Sequence, residues 1–195
     1  SSLVILPSNN AHSSFNLSWL GFLHNRKINL MFDDEVILSP HVSDRKYVSY
    51  IGTVAKDHAF GEFIKLVELV CTNDLLPSVT FLICTKSDIP PDCLKAVNRC
   101  VEQERLEVVS GKVMSNEEIN GYYLRSFIVW NAYKRSMQSG VLPKAYMCGA
   151  AVITSFSGSS EYFINGSTGL AISSDYELDD FVEVINLMMI SFPKF

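Results

Sequence analysis

Two turns in this chain have the residue types that can hold a phosphate. One is Ser139-Gly140-Val141, which follows the apolar run Phe127–Trp130 and opens a helix that Gly149 is placed to stop. Ser139 is positioned to cap that helix, and Gly140 leaves the backbone open in front of it. A helix N-terminus presents N–H groups and a partial positive charge, so it binds an anion without any basic side chain. The other turn is the loop Gly52–His58, between the strand Tyr47–Ile51 and a helix over Phe60–Val70. A glycine there lets the backbone approach a diphosphate closely. Lys134 and Arg135 are adjacent basic residues just before the Ser139 turn, and one of them is expected to neutralise or steer an anion. Open α/β sheets bind ligands at the carboxyl ends of parallel strands, where both turns are expected to lie.

The elements that must carry these turns are legible as apolar runs. Tyr47–Ile51, Val79–Cys84, Leu106–Val109, Phe127–Trp130 and Ala151–Ile153 are short enough for buried strands. Phe63, Leu66, Val67 and Val70 recur at helical spacing. Pro90-Pro91 is expected to open a helix running to about Gln103. Ser115-Asn116-Glu117-Glu118 is a capping-box pattern before a helix over Ser115–Arg125. Asn165-Gly166 and Thr168-Gly169 punctuate the return to a last strand. In the tail Tyr176–Met189, Leu178, Phe181, Val182, Ile185 and Met189 share one face, with Asp175 as the expected N-cap. At the other end, Leu3–Leu6 is a short apolar run, Phe15–Leu23 a short helix, and Ile28–Phe32 and Glu35–Leu38 extended pieces.

The chain has 195 residues, enough for one sizeable core, and 48% are hydrophobic, which excludes a disordered chain. A net charge of −5 argues against a nucleic-acid surface, and no apolar run reaches membrane-spanning length. The five cysteines are scattered with no C-x-x-C pair, so reduced, buried thiols in a cytoplasmic setting are expected. Neither His12, His24, His41 nor His58 has metal-ligand spacing, and no bound metal is expected. With no initiator Met and no signal peptide, the sequence reads as an excised fragment.

From Tyr133 to Leu170 the residues form one ordered set. It comprises Tyr133, Lys134 or Arg135, Gln138-Ser139-Gly140-Val141, Pro143, Ala145, Gly149, Val152-Ile153, Gly158, Glu161, Asn165-Gly166 and Thr168-Gly169-Leu170. This set resembles the donor-binding half of GT-B-fold retaining glycosyltransferases, in the "group 1" family of bacterial polysaccharide synthesis. The likeness reaches back, less sharply, to about Tyr47. It implies an α/β, Rossmann-like three-layer domain with a mainly parallel sheet, one half of a GT-B fold. Residues 46–195 would be the nucleotide-sugar domain, and residues 1–45 a linker with short extended segments packed on it.

The resemblance also implies site roles. Gly52, Thr53 and Lys56 would face the donor phosphates, with Thr53 where the family has an arginine and Lys56 or His58 near its lysine. Arg135, Ser139, Gly140, Val141, Leu142 and Glu161 complete the donor site, and Gly111, Lys112 and Val113 frame the base. Two family glutamates are replaced by Ser136 and Lys144, which removes the usual ribose partner. Catalytic residues are not assigned, because they would face the acceptor from the other GT-B domain. The implied reaction transfers a sugar from a UDP- or GDP-linked donor to a glycan or lipid-linked acceptor, with retention and without a cofactor. The full-length protein would work in the cytoplasm or at the inner face of the membrane, and this half alone would turn over poorly. The competing readings are a non-catalytic nucleotide-sugar-binding or interaction module of the same fold and, more weakly, a sugar-nucleotide epimerase.

Overall fold

The computed structural model describes residues 3–6, 24–27, 45–134, 140–155, 163–173 and 175–191, the first two stretches as backbone. Those two stretches are β1 (Leu3–Leu6) and β2 (His24–Lys27), which pair in parallel as a separate two-stranded sheet. The helix expected at 15–23 and the extended pieces at 28–32 and 35–38 lie outside the described residues.

The main sheet has six strands in the order β5-β4-β3-β6-β7-β8, every pair parallel. They are β3 (Tyr47–Ile51), β4 (Thr80–Cys84), β5 (Leu106–Val109), β6 (Ser126–Asn131), β7 (Ala151–Ser155) and β8 (Gly169–Ile172). Among the described residues the α-helices are α1 (Phe60–Thr72), α2 (Leu94–Glu102), α3 (Asn116–Leu124), α4 (Val141–Met147) and α5 (Leu178–Ser191). The chain builds outward from β3 to β5, returns to the centre at β6, and builds outward the other way. The strand order therefore reverses between β3 and β6, which leaves a crevice at their carboxyl ends.

Strands covered on both faces need apolar residues throughout, and β3, β6 and β7 are buried at every position. One face packs Val48, Tyr50, Phe81, Ile83, Ile128 and Trp130 against α1, α2 and α5. The opposite face packs Ile51, Leu82, Val129 and Val152 against α3 and α4. Trp130 anchors the first layer, its ring 5.4 Å from Phe63 and 4.6 Å from Phe181. In α5 the expected stripe is present, although Met188 is the fully buried methionine and Met189 only packs beside it.

Local signals decide two of the helix ends. Ser115 accepts from the Glu118 amide at 3.1 Å, and Glu118 accepts from the Ser115 amide at 2.8 Å, completing the capping box before α3. Gly149, at φ 66, ends α4 with two bonds, Gly149 N–H to Tyr146 O and Ala150 N–H to Ala145 O. Three expectations are corrected. Pro90-Pro91 forms a turn, bonded Cys93 N–H to Pro90 O, and α2 starts only at Leu94. The N-cap of α4 is Gly140, which has no side chain to cap with, and Ser139 lies outside the described residues. Asp175 precedes the start of α5 by a turn; the Glu177 amide donates to Asp180 Oδ2 at 2.8 Å instead.

At the amino end of the sheet, Glu107 of β5 accepts from Lys46 Nζ at 2.8 Å and from the Tyr47 hydroxyl at 2.6 Å. Burial alone pushes the Glu107 carboxyl up, but these two donors outweigh it and leave the group below its ordinary value. A lowered folded-state value adds stability above the unfolded-state titration, and that stability is lost as pH falls through the folded one. The stability difference between the wild type and Glu107→Gln is therefore expected to narrow as pH drops below the ordinary carboxylate range. Denaturant titrations at neutral and acidic pH read this directly, and a difference independent of pH would refute it.

Among the described residues, no helix is long and apolar enough to cross a membrane. All five cysteines are free thiols, four of them buried.

Candidate functional site

A cavity of about 640 Å³ occupies the crevice where the strand order reverses. The turns after four strands and two helices build it. Ile51, Gly52 and Thr53 come from the end of β3, and Cys84, Thr85 and Lys86 from the end of β4. Val113, Met114, Ile119 and Tyr123 come from the β5–α3 turn and α3. Tyr133 follows β6, and Gly140, Val141, Lys144 and Met147 line the wall made by α4.

The first two turns are tied to each other. The Gly52 amide donates to Cys84 O at 3.0 Å, continuing the β3–β4 ladder by one bond. The Val54 amide donates to Ser87 Oγ at 3.2 Å, and the Ser87 amide donates to Thr85 Oγ1 at 3.0 Å. Gly52 has φ +139, and a Cβ there would sit 3.8 Å from Val141 Cγ2. Gly52 thus shapes the floor between β3 and α4, with its amide already engaged.

Chemically the cavity has two ends. Cys84, Met114, Ile119, Tyr123, Val141 and Met147 make an apolar floor, with Cys84 Sγ 3.5 Å from Met114 Sδ. Burial pushes the Cys84 thiol up to about 12 and holds the Tyr123 phenol well above its usual range, so both stay neutral. The polar rim holds Thr53, His58, Lys86 and Lys144, and among the described residues no Asp or Glu lines the cavity. His58 is locked in place: its Nδ1 lies 2.9 Å from Thr53 O, and its ring stacks on Tyr133 at 4.4 Å and 13°. A carbonyl partner requires the proton on Nδ1, which leaves Nε2 as the free ring edge in the neutral tautomer. The Trp130 indole donates to His58 O at 3.4 Å, coupling this turn to the core.

Of the residues named from sequence, Gly52, Thr53, Val113, Gly140 and Val141 line this cavity together. The Leu142 side chain is buried in the core beneath it, 1% exposed. Lys56 is exposed in the short 3-10 turn Lys56–His58 and is absent from the lining, so His58 takes that place. Gly111 and Lys112 also fall outside the lining. Gly111 donates its amide to Ser87 O, and Lys112 reaches Glu118 at 3.3 Å. Lys134 turns away to pair with Glu62 of α1, and that carboxylate holds its ammonium above the ordinary value. Arg135, Ser139 and Glu161 lie outside the described residues. The sequence reading missed Thr85, Lys86 and Met147 as wall residues, and had Tyr133 only as a member of the motif set. Their one available signal was position, at the end of a strand or on the helix beside the crevice.

No protein-family model matches the chain, and no curated protein matches it. Solved structures do. Sucrose-phosphate synthase from Thermosynechococcus elongatus superposes with a TM-score of 0.75 at 16% identity, over 98% of this chain and 50% of that one. Anabaena HepE, solved with UDP and glucose, gives 0.74 at 16% identity, over 100% of this chain and 55% of that one. The C-terminal domain of a group 1 family glycosyl transferase, LpcC of Francisella tularensis, gives 0.61 at 15% identity, over 74% of this chain and 75% of that domain. The likeness establishes the fold as the Rossmann-like half of the GT-B architecture. The chain spans about half the length of the two larger proteins.

Proposed function

We propose that this chain is the donor-binding half of a glycosyltransferase and that its crevice takes a nucleoside diphosphate sugar, uridine-linked in the first instance. The observation that carries this is the cavity itself. It lies where the strand order reverses, with an apolar end and a cationic rim, in a fold whose neighbour HepE holds UDP or UDP-glucose. The apolar floor of Met114, Ile119 and Tyr123 suits a base. Lys86, Lys144 and the first-turn amides of α4 suit a diphosphate.

The chemical demand of sugar transfer is stabilisation of the departing diphosphate. Preorganised donors meet that demand without reorganising at the moment of reaction. Residues 46–195 form this donor domain, with Thr53, Arg135, Ser139, Gly140 and Glu161 as further donor contacts. The acceptor, a glycan or lipid-linked hydroxyl, and a second GT-B domain would complete the site, with retention of configuration. A second reading, a nucleotide-binding module without turnover, is favoured by the absence of any carboxylate from the described lining. The ribose hydroxyls then lack an acidic acceptor.

Calorimetric titration with UDP, GDP and ADP tests the proposal. Selective binding is expected, and Lys144→Glu is expected to weaken it about 10- to 30-fold. That figure counts only the new Coulomb repulsion at a protein-surface dielectric, reduced by salt, and the lost attraction of the ammonium adds to it. A folded sample that binds no nucleotide would overturn both readings. Binding without sugar transfer by the full-length protein would leave the second.

A further inference from the structure

We propose that Cys71 and Cys100 form a reversible oxidation site, a dithiol that a peroxide converts to a disulfide joining α1 to α2. The two cysteines lie on neighbouring helices, on the far side of the sheet from the nucleotide cavity. Cys100 Sγ points at Val67 O, 4.0 Å away. That carbonyl lies four residues before Cys71, one helical turn below it, so the Cys100 thiol sits against the turn that carries Cys71. The flanking residue Arg99 fixes this register. Its Nη2 donates to Glu68 Oε1 and Thr72 Oγ1, both at 2.8 Å, on either side of Cys71. The neighbouring Cys100 thiol favours the Cys71 thiolate, whereas Cys71 and burial together disfavour that of Cys100. Arg105 and Arg99 add positive charge on the Cys71 side.

The two partners are not equivalent. Cys71 is 8% exposed and Cys100 is 1% exposed, so Cys71 meets an oxidant first. The thiolate is the nucleophile toward peroxide. Cys71 sulfur attacks one peroxide oxygen, the O–O bond breaks, and the departing hydroxide takes a proton to become water. This leaves Cys71 as a sulfenic acid. Cys100 sulfur then attacks Cys71 sulfur, the S–S bond forms, the S–O bond breaks, and the Cys100 proton leaves with the hydroxide as a second water. Two thiols lose two electrons and one peroxide gains them. A small dithiol reverses the change by exchange.

The test is hydrogen peroxide treatment of the whole chain, a denaturing quench with an alkylating reagent, and mass mapping. The expected result is a loss of about 2 Da, a single Cys71–Cys100 cross-linked peptide pair, and full recovery after dithiothreitol. The oxidised form should melt on the order of 5 °C higher, because the link constrains the unfolded chain. Cys93, the most exposed of the five thiols, is the competing target. Sulfinic acid at Cys71 without a cross-link would overturn the proposal. So would a cross-link through Cys84 or Cys93, or alkylation of both Cys71 and Cys100 after peroxide. The wild type carries this test, so it does not depend on a serine variant folding.

Discussion

Gly169→Ala is expected to cost at least about 3 kcal/mol of stability, a large share of what a domain of this size has. The reason is backbone contact. A Cβ at Gly169 would lie 1.9 Å from Val152 O and 2.8 Å from Val152 C, and φ there is +158°. Val152 is the residue that faces Gly169 across the β7–β8 pair. No side chain can swing aside to make room, so the strand must shift and its ladder must break. The neighbouring bonds, Val152 N–H to Thr168 O and Gly166 N–H to Gly169 O, would go with it. Gly121, inside α3, is the control, with nothing within 4 Å of its missing Cβ. Gly121→Ala is expected to gain about 0.5 kcal/mol by relieving helix entropy. Urea midpoints of the two variants decide the matter. Equal midpoints would show that the β8 edge does not hold the fold.

Trp130→Ala is expected to lose about 3–5 kcal/mol, as full burial of a large aromatic implies. Trp130 is 1% exposed between Phe63 and Phe181, so truncation opens a void between α1, α5 and the sheet. It also removes the donor to His58 O, so the rim of the cavity loses a tether. Nucleotide affinity of the folded fraction should fall along with the melting temperature. Trp130→Phe keeps the packing and loses the tether. It is expected to be mildly destabilised and to show a similar fractional loss of affinity. An unchanged affinity in Trp130→Phe would mean that the 3-10 turn is positioned without the indole.

Periodicity and punctuation carried most of the fold. The runs Tyr47–Ile51 and Val79–Cys84 mark strands because burial on both faces leaves no polar alternation. Gly149 marks a helix end because αL backbone favours glycine. Asp175 and Pro90-Pro91 were misplaced by a few residues, because several polar or proline positions compete for one helix start and tertiary packing chooses among them. The site was harder to read. Gly52 was legible as a glycine directly after a strand, and Gly140 as a glycine in front of a helix start. Lys56 and His58 were not separable from sequence: they lie two residues apart in one turn, and stacking on Tyr133 decides which side chain faces the cavity. Thr85 and Lys86 enter the wall only because β4 lies beside β3, and no local pattern encodes which strands are neighbours.

The reversal of strand order between β3 and β6 also governs how the molecule assembles. Tyr47 faces Ser126, and the Ser49 and Ser126 hydroxyls meet at 2.6 Å across the same seam. Every other strand pair in the sheet joins consecutive strands, whereas this seam closes a loop of nearly eighty residues. Closing a long loop is entropically slow, so the two halves are expected to condense separately and the seam to zip late. The crevice exists only once that zipping is complete. A nucleotide seated there, as proposed above, would touch both halves at once and act as a clasp, favouring the closed seam and slowing its reopening.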